Sequence, residues 1–325
     1  MKDTDKTTQI KKSNPFDGQS FLYRDVSEDK KNASNNGLGA ATLHLAYTAP
    51  FNFSQSVEFM KRRAIKGVEV IDDEGYARTF RTNHAKGYFT VRDIANESAL
   101  ALRIVCDDIR CHMKIHHQVR RMFDLDTDFT PINEKFQRDT ILSKGMVAGQ
   151  VPRLPIAFDP FEFCVRAILG QQVSVQAAAT LASRVAEKAR LETEARFPSG
   201  LDYYFPGPQE LVQTDLEGMG ITRARQATIA NMAQGLMDKV FSLNLNQSFE
   251  TFQKNFSSIK GIGEWTVAYV AMRGMGMVDS FPATDLGIIK ALEKNGKRPS
   301  RKEILKRADL WRPYRAYAAL CLWNQ

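Results

Sequence analysis

The sequence predicts an α+β protein, with a small antiparallel β-rich domain at the N-terminal end and an all-helical domain after it. Two observations support this prediction. Residues 41–106 show the alternation of polar and apolar side chains that is typical of half-buried strands, and from residue 159 onward nearly every segment has helical periodicity. We therefore expect a polar, flexible tail at 1–40, a small antiparallel α+β domain at 41–130 and a helical domain at 131–325.

Composition restricts the compartment and the class of partner. The 325 residues carry a formal net charge of +8, with 45 Lys and Arg against 37 Asp and Glu, which favours a polyanionic partner. The four cysteines are too few and too scattered for a disulfide scaffold. Since the chain has neither an apolar run of membrane-spanning length nor a signal-peptide core, we expect a soluble, cytoplasmic protein without membrane contact, and a monomer.

The small domain begins where a Lys-, Asn- and Ser-rich segment gives way to alternation. The segment before it is typical of a solvated tail, and a basic arm that contacts the polyanion through Lys11 and Lys12 is the alternative. Turn residues at 73–75 and 83–87 separate strands. The predicted strands are 41–47, 68–72, 76–82, 88–93 and 99–106, and the predicted helices are 54–65 and 109–123.

One cluster in this domain consists of residue types that bind metal ions. Its members lie within twelve residues and are Cys106, Cys111, His112, His116 and His117. His112 and His116 are one helical turn apart and could share an ion. No second pair of ligands has the spacing of a zinc site, however. We therefore expect no metal in this domain.

Residues 130–155 are predicted to be a polar linker, and the helical domain then begins with a strong signal. Asp159 is followed by Pro160 and Glu162, which is the order of an N-cap, a first-turn proline and a first-turn acid. The helix that begins there ends at Leu169-Gly170-Gln171-Gln172. A second helix starts near Ser174.

The helical domain is organised around a glycine turn, Lys260-Gly261-Ile262-Gly263, between predicted helices at 249–258 and 264–274. Glycine permits left-handed backbone angles and leaves no side chain between the main-chain N–H groups and an approaching anion. The N-terminus of the second helix adds the positive end of its dipole. This turn is therefore predicted to bind a phosphate group.

Two aromatic residues and a carboxylate follow the turn. Trp265 and Tyr269 are four residues apart, so they share one helix face, and a proline-containing loop then leads to Asp285. Either Thr284 or Asp285 caps the next predicted helix, at 286–295, where the helix dipole favours a negative side chain. Phosphate binding, an aromatic face and a fixed negative charge thus occur in succession.

Taken singly, each residue has a simpler structural interpretation. Trp265 and Tyr269 are typical of core aromatics, Asp285 is typical of a helix cap, and Trp311 and Tyr317 are expected in the core. The basic residues that are interpreted singly as solvated charges are Lys260, Arg223, Arg225 and Arg273. The order of the aromatic pair and the carboxylate behind the glycine turn favours a functional site.

In combination, these segments resemble the helix-hairpin-helix base-excision DNA glycosylases, whose hairpin is followed by a Gly/Pro-rich loop and an aspartate. The resemblance is to the alkylation-repair branch, the DNA-3-methyladenine glycosylase II type, and it covers about residues 43–325. It rests on the hairpin with Trp265 and on four further segments. These are 167–175, 220–224, 281–287 and 311–317.

The resemblance implies a catalytic Asp285 and a base pocket formed by Trp265, Tyr269 and Trp323, with Phe59 reaching in from the first domain. It also implies DNA contacts, which are expected from Gln172, Lys260, Gly261, Ile262, Gly263 and Arg223. Some relatives have an apolar wedge that replaces the extruded nucleotide, and this chain has Gln172 at the matching position.

The residue at position 265 and the charge of an alkylated purine restrict the activity that the resemblance implies. Relatives that also cut the backbone have a lysine where this chain has Trp265, and an indole cannot form a Schiff base with the sugar. Strand cleavage is therefore not expected. An alkylated purine already carries positive charge and leaves without a general acid, so one carboxylate suffices. Aromatic rings attract a flat, cationic base through stacking and cation–π contact.

The resulting hypothesis is a monofunctional DNA N-glycosylase that flips alkylated purines, of the 3-methyladenine and 7-methylguanine type, out of duplex DNA in base excision repair. Two alternatives stay open: a non-catalytic protein that binds lesions or bent DNA, and a glycosylase for oxidised or deaminated bases. Double-stranded DNA that contains alkylated bases is the expected partner. No cofactor is expected, and the binding of a monovalent cation at the hairpin carbonyls stays open.

Overall fold

The computed structural model describes residues 38–325. The predicted tail, with Lys11 and Lys12, therefore lies outside the described residues except for its last three positions. Over the described range, no helix combines the length and the apolar composition that crossing a membrane requires.

The N-terminal part of the described chain forms one antiparallel sheet of five strands. They are β1 (Gly39–Ala46), β2 (Glu69–Asp72), β3 (Gly75–Arg81), β4 (Lys86–Ile94) and β5 (Ala99–Cys106). Their order across the sheet is β1-β5-β4-β3-β2, and the long pair β1 and β5 runs from Gly39 opposite Cys106 to Ala46 opposite Ala99. All five predicted strands are confirmed, because alternation marks a half-buried strand directly.

Two helices, α1 (Phe53–Lys61) and α2 (His112–Met122), pack their apolar faces on this sheet. The Oδ1 atom of Asn52 caps α1 by accepting from the backbone N–H of Gln55 at 2.9 Å. The chain leaves α1 at Lys61, four residues before the predicted end. Ile65 packs instead in the core of the helical part, where it is fully buried.

The remaining described chain is helical and surrounds two hydrophobic cores. Trp311 and Tyr317 are each 1% exposed, which confirms them as core residues. The helices are α3 (Thr130–Gln137), α4 (Pro160–Leu169), α5 (Val175–Ala189), α6 (Pro208–Gln213), α7 (Arg223–Met237), α8 (Phe249–Phe256), α9 (Glu264–Tyr269), α10 (Leu286–Ala291), α11 (Arg301–Ala308) and α12 (Arg315–Trp323).

The prediction that residues 130–155 form a polar linker is wrong. Helix α3 lies there, and its buried residues Ile132 and Phe136 belong to the core that contains α12, together with Leu142 and Leu154. Ile132 and Phe136 are four residues apart and share one helix face. The polar residues between them are exposed or half-buried, so the average composition of the segment resembles that of a linker.

The Cys–His cluster lies at the junction of β5 and α2. The Sγ atom of Cys106 is 3.3 Å from Nε2 of His112 and 3.5 Å from Sγ of Cys111. Burial raises the pKa of Cys106 to about 12, with a further contribution from Cys111. Among residues 38–325, no three His, Cys, Asp or Glu side chains are grouped to hold a metal ion.

A buried network of charges joins the sheet to α4. The guanidinium of Arg78 on β3 donates to Glu162 at 2.6 Å and lies 3.7 Å from Glu69, and Arg166 lies 3.0 Å from Glu162 and 3.4 Å from Glu69. Tyr76 donates to Glu69 at 2.6 Å. Burial opposes ionisation of Glu162, but Arg78 and Arg166 outweigh it and lower its pKa. This network fixes the position of the sheet against the helical part.

Candidate active site

Asp285 caps α10 from the edge of a cavity. Its Oδ1 atom accepts from the backbone N–H groups of Gly287 at 2.9 Å and Ile288 at 3.2 Å, and its backbone is extended, as an N-cap requires. Of the two candidates for the cap, Thr284 and Asp285, it is therefore Asp285. The cap fixes the carboxylate with respect to the helix before any other contact is made.

Two tryptophan indoles also donate to this carboxylate. Nε1 of Trp265 lies 2.8 Å from Oδ2 of Asp285, and Nε1 of Trp323 lies 2.8 Å from Oδ1. A Cβ atom at Gly287 would be 3.0 Å from Cδ1 of Trp323, so glycine leaves room for that indole. Oδ1 thus has three donors within the described chain and Oδ2 has one, which leaves Oδ2 with capacity for a further partner.

A cavity of about 330 Å³ lies beside Asp285, between the sheet and the helical part. Trp265, Tyr269 and Trp323 line it, as does Asp285. The ring of Trp265 stacks on Tyr269, with centroids 4.8 Å apart and planes at 21°, and Trp323 meets Tyr269 edge-on at 6.1 Å. Three of the four expected pocket residues therefore surround one cavity.

Phe59, the fourth expected pocket residue, lines a neighbouring cleft of about 780 Å³ instead. Trp323 and Arg63 line both spaces. The guanidinium carbons of Arg63 and Arg273 lie 3.6 and 4.5 Å from the centroid of the Phe59 ring. Phe59 does reach toward the helical part from α1, but it contacts two of the arginines that line the cavity, Arg63 and Arg273.

The interpretation of Arg273 as a solvated charge is wrong, since this residue is 5% exposed. Its Nε atom donates to the carbonyl of Pro155 at 2.8 Å and its Nη1 atom donates to the Tyr269 hydroxyl at 3.1 Å. The predicted helix 264–274 changes after Tyr269 into a π-helical turn, Val270–Gly274, which carries Arg273. Such turns are frequent at functional sites. The burial of Arg273 could have been predicted from one feature of the sequence, an arginine that follows Tyr269 by one helical turn inside an apolar run.

The arginines change the ionisation of the tyrosine beside them. Burial opposes ionisation of Tyr269, but the positive charges of Arg273, Arg63 and Arg166 outweigh it and lower the pKa of Tyr269 below its ordinary value. Burial lowers the pKa of Arg63 to about 10, with a further contribution from the charge of Arg273. One end of the cavity is therefore positively charged, which the sequence did not indicate.

The glycine hairpin joins α8 to α9 and lies two residues before Trp265. Gly261 has φ +94°, and a Cβ atom there would lie 2.0 Å from Oγ1 of Thr228, so this position requires glycine for both backbone and packing. Gly263 has φ −94° and caps α9 in extended conformation. Gly263 thus does not use the left-handed angles that glycine permits. Its Cβ position has no heavy atom within 4 Å, which leaves the hairpin open to an approaching group.

Gln171 connects the hairpin to the loop between α4 and α5. Its Nε2 atom donates to the carbonyl of Gly261 at 3.2 Å and to Oγ1 of Thr266 at 3.1 Å. The guanidinium of Arg225 donates to the carbonyl of Gln171, so Arg225 has a structural contact rather than the solvated position expected. Among the hairpin carbonyls, where a monovalent cation was considered, that of Gly261 already accepts the hydrogen bond from Gln171.

Gln172 follows in the same loop and is exposed, with a left-handed φ of +55°. Gly170 and Ser174, two residues to either side, line the cavity, so Gln172 stands at the rim of the site. Lys260 in the hairpin and Arg223, the first residue of α7, are also exposed. The expected DNA contacts other than the buried Ile262 thus lie on the surface, outside the cavity.

Comparison with known proteins identifies the same family in both parts of the chain. Residues 42–159 match the AlkA N-terminal domain. The chain is 30% identical over 285 residues to DNA-3-methyladenine glycosylase 2 of Escherichia coli, covering 86% of this chain and 95% of that protein. It is 32% identical over 310 residues to the probable bifunctional transcriptional activator/DNA repair enzyme AlkA of Mycobacterium tuberculosis, covering 95% of this chain. It spans only 62% of the length of that mycobacterial relative.

Among solved structures, 3-methyladenine DNA-glycosylase from Archaeoglobus fulgidus has the same fold. It superposes with a TM-score of 0.72 over 87% of this chain and 97% of its own, at 19% identity. At that identity the likeness concerns the fold, and it supports the prediction of a β-rich domain followed by a helix-hairpin-helix domain.

Proposed function

The chain belongs to the DNA-3-methyladenine glycosylase family, as its 30% identity over 95% of the Escherichia coli member indicates, and on this premise we propose that it is a monofunctional DNA N-glycosylase. It extrudes alkylated purines of the 3-methyladenine and 7-methylguanine type from duplex DNA and hydrolyses the N-glycosidic bond in base excision repair. The observation that carries the proposal is the position of Asp285, which two indoles hold at the wall of the cavity.

Asp285 assists the departure of the base electrostatically. When the bond between C1′ and the base nitrogen breaks, the bonding pair goes to the base and positive charge develops on the deoxyribose. A base alkylated on a ring nitrogen is already cationic, so it leaves as a neutral purine without protonation. Oδ2, for which the described residues supply one donor, faces the cationic sugar and stabilises it. Water then adds to C1′ and releases a proton.

The absence of strand cleavage follows from the side chains around C1′. A lyase step needs an amine that attacks C1′ and forms a Schiff base. Trp265 occupies the position of that amine, and its ring nitrogen donates to Asp285. Among the described residues, none of the side chains lining the cavity is a lysine.

The hairpin and the loop of Gln172 hold the duplex. The open side of Gly263 and the exposed Lys260 present main-chain N–H groups and a positive charge to a phosphate. Gln172 occupies the gap left by the extruded nucleotide and bonds to the unpaired base opposite. The hydrogen bonds of Gln171 to Gly261 and Thr266 keep hairpin and loop at a fixed separation.

The substitution Asp285→Asn tests the proposal. Asparagine is as good an N-cap as aspartate, so α10 is retained while the negative charge is lost. We expect release of 3-methyladenine and 7-methylguanine from methylated duplex DNA, measured by chromatography of the freed bases, to fall by at least about 100-fold. Binding to abasic-site DNA should stay within a few fold of the original affinity.

The matched control is Asp159→Asn, because Asp159 also caps a helix, accepting from the N–H of Glu162 at 2.9 Å, and does not line the cavity. Its release rates should be unchanged. Equal release by Asp285→Asn and the unmodified protein would remove Asp285 from the mechanism. Binding of methylated DNA without release of any base would favour a non-catalytic protein, and nicked DNA with a borohydride-trapped intermediate would contradict monofunctional hydrolysis.

A further inference from the structure

A strongly basic segment follows the carboxylate of Asp285 along the chain. Residues 290–307 include eight Lys and Arg residues and only two acids, Glu293 and Glu303, whereas the whole chain has a formal net charge of +8. The segment comprises the end of α10, the loop after it and most of α11. None of these charged side chains lines the base cavity. Such a local excess of positive charge is typical of a surface that contacts a polyanion.

The loop contains a tight turn at residues 294–297, which we call the basic turn. The N–H of Lys294 donates to the carbonyl of Lys297 at 3.2 Å, and the N–H of Lys297 donates to the carbonyl of Lys294 at 2.8 Å. The two residues between them, Asn295 and Gly296, have left-handed φ angles of +50° and +73°. Two left-handed residues at the tip of a hairpin are typical of a type I′ turn. The basic turn therefore has a defined conformation.

The two lysines of the basic turn carry charges that the protein does not neutralise. Both are exposed, and neither has a carboxylate within 4 Å among residues 38–325. Glu293 lies 3.5 Å from Arg298 instead, and Glu303 accepts from the N–H of Ser300 at 2.7 Å. Like charges directly opposite each other in a hairpin are destabilising. A bound anion would relieve the repulsion between Lys294 and Lys297.

Buried residues anchor the chain on both sides of the basic turn. Leu292 is 9% exposed and Ile304 is 1% exposed, and both belong to the core that contains α12. Ser300 caps α11 between them, and Glu303 completes the capping box. The packing of the helical part therefore sets the position of the basic turn.

An ion pair places this segment beside the glycine hairpin. Nε and Nη2 of Arg301 donate to the carboxylate of Glu264 at 2.7–3.0 Å, in a bidentate geometry. Glu264 begins α9 directly after Gly263, and Arg301 begins α11. An exposed pair of this kind contributes little to stability, but it holds the start of α11 next to the start of α9. The hairpin and the basic turn, which precede these two helices, thus lie on neighbouring parts of the surface.

The dimensions of duplex DNA relate the basic turn to the site of base release. Helix α10 has six residues and is about 9 Å long, which places the basic turn roughly 10–15 Å from Asp285. One strand of B-DNA advances about 3.4 Å per phosphate. When an extruded nucleotide lies beside Asp285 and its phosphates lie on the hairpin, phosphates about three or four nucleotides away can reach the basic turn.

We propose that the basic turn binds the phosphate backbone of the duplex beside the lesion, through Lys294 and Lys297. It extends the DNA contact of the hairpin by about three or four nucleotides. Contacts between lysine and phosphate fix the position of a duplex and carry no sequence information, so this surface fits flanking DNA of any sequence. The inference rests on the proposed function and adds a second contact with the same partner.

The test combines Lys294→Gln and Lys297→Gln in one protein, because glutamine keeps a polar side chain without the charge. Binding to a duplex with one tetrahydrofuran abasic-site analogue at its centre is measured at several salt concentrations. The logarithm of the association constant should depend less steeply on the logarithm of the salt concentration, with a slope smaller by about 1 to 2. Affinity should fall about tenfold or more at about 0.1 M salt. Single-turnover base release at saturating protein should be unchanged.

Shortening the duplex distinguishes a direct contact from long-range attraction. Two further duplexes are each cut back to about two base pairs, one on either side of the abasic site. On one of them the unmodified protein and the double variant should bind equally, because the phosphates that reach the basic turn are gone. On the other duplex the difference between the two proteins should persist.

The matched control combines Lys188→Gln and Lys239→Gln. Both lysines are exposed and lie near the C-terminal ends of α5 and α7, so the same charge is removed away from the cavity. The salt dependence of binding should not change in this control. Thermal unfolding should be the same in all three proteins, since the substituted side chains are exposed.

Each outcome decides the inference. Equal binding by the double variant and the unmodified protein at every salt concentration overturns it, as does an equal loss of affinity in the control or a loss that persists on both shortened duplexes. If the unmodified protein does not bind the abasic-site duplex, this inference and the proposed function both fail. If binding depends on Lys294 and Lys297 as described but no base is released from methylated DNA, the proposed function alone fails.

Discussion

The indole nitrogen of Trp265 lies 2.8 Å from Oδ2 of Asp285. This hydrogen bond joins the first turn after the glycine hairpin to the N-cap of α10, so the hairpin that we propose binds DNA is coupled directly to the carboxylate that we propose is catalytic. The same ring stacks on Tyr269. Trp265 therefore both orients the carboxylate and forms a wall of the cavity, and the two roles can be separated.

Trp265→Phe should keep the stacking and lose the hydrogen bond. We expect kcat for base release to fall about tenfold to 100-fold, because Oδ2 loses the donor that orients it, while KM changes little. Single-turnover release of bases from methylated DNA measures this effect. Trp311→Phe is the control, since its indole donates to Asp139 at 2.9 Å far from the cavity, and it should lower stability without changing kcat. Equal kcat in Trp265→Phe and the unmodified protein would contradict the orienting role.

Gln172→Gly should raise the stability of the protein and lower its base-release activity. Gln172 is exposed with φ +55°, a backbone angle that glycine adopts without strain, so we expect the free energy of unfolding to rise by about 0.5–1 kcal/mol. Base release should slow, because the side chain that we propose fills the vacated stack is gone. Thermal unfolding and release assays measure the two effects.

Lys239→Gly is the control for this prediction. Lys239 is also exposed with a left-handed φ, of +60°, and it ends α7 away from the cavity. Its stability should rise similarly and its release rate should stay the same. A release rate in Gln172→Gly that matches this control would show that Gln172 does not act as the wedge.

Alanine at the two hairpin glycines should have different effects. Gly261→Ala places a Cβ atom 2.0 Å from Oγ1 of Thr228 at a φ of +94°, so we expect a loss of stability of about 2 kcal/mol or more. Gly263→Ala meets no heavy atom within 4 Å and should leave the unfolding temperature unchanged. Its methyl group would separate a phosphate from the main chain, so DNA affinity should fall severalfold. Undiminished affinity of folded Gly263→Ala would contradict phosphate binding by the hairpin.

Two buried thiols should make the protein less stable at alkaline pH. Burial raises the pKa of Cys106 and of Cys321 from 9.0 to about 12. Between pH 9 and 12 the folded state therefore holds protons that the unfolded state has lost, and the free energy of unfolding falls as the pH rises. Replacing both residues by alanine should make the decline of the free energy of unfolding with pH less steep. The change in slope should correspond to up to about two bound protons. Urea unfolding across this pH range measures the slope, and identical slopes in both proteins would contradict the prediction.

Local rules explain why much of the site was predictable from the sequence. A carboxylate that caps a helix is positioned by its own backbone and the next three residues, so Asp285 follows from the order of residues alone. The same holds for Gly261 and for the shared face of Trp265 and Tyr269, which a spacing of four requires. The five strands were predictable for the same reason, because the alternation of polar and apolar residues is also a local pattern.

Contacts between distant segments were not predictable. Arg63 and Arg273 are 210 positions apart, and their shared cavity exists only because the Arg78–Glu162 ion pair and its neighbours hold the sheet against α4. The core role of residues 130–155 was missed because burial there depends on α12, which is far along the chain.

The two-part fold, the hairpin and the capped carboxylate were predictable from the order of residues, because each depends on interactions within a few residues. The donation of both indoles to Asp285 and the burial of Arg273, which meets Arg63 at the Phe59 ring, became visible only once the chain was folded. The direction of a side chain and the charge around it are set by which segments pack together, and a single sequence carries no local signal for that.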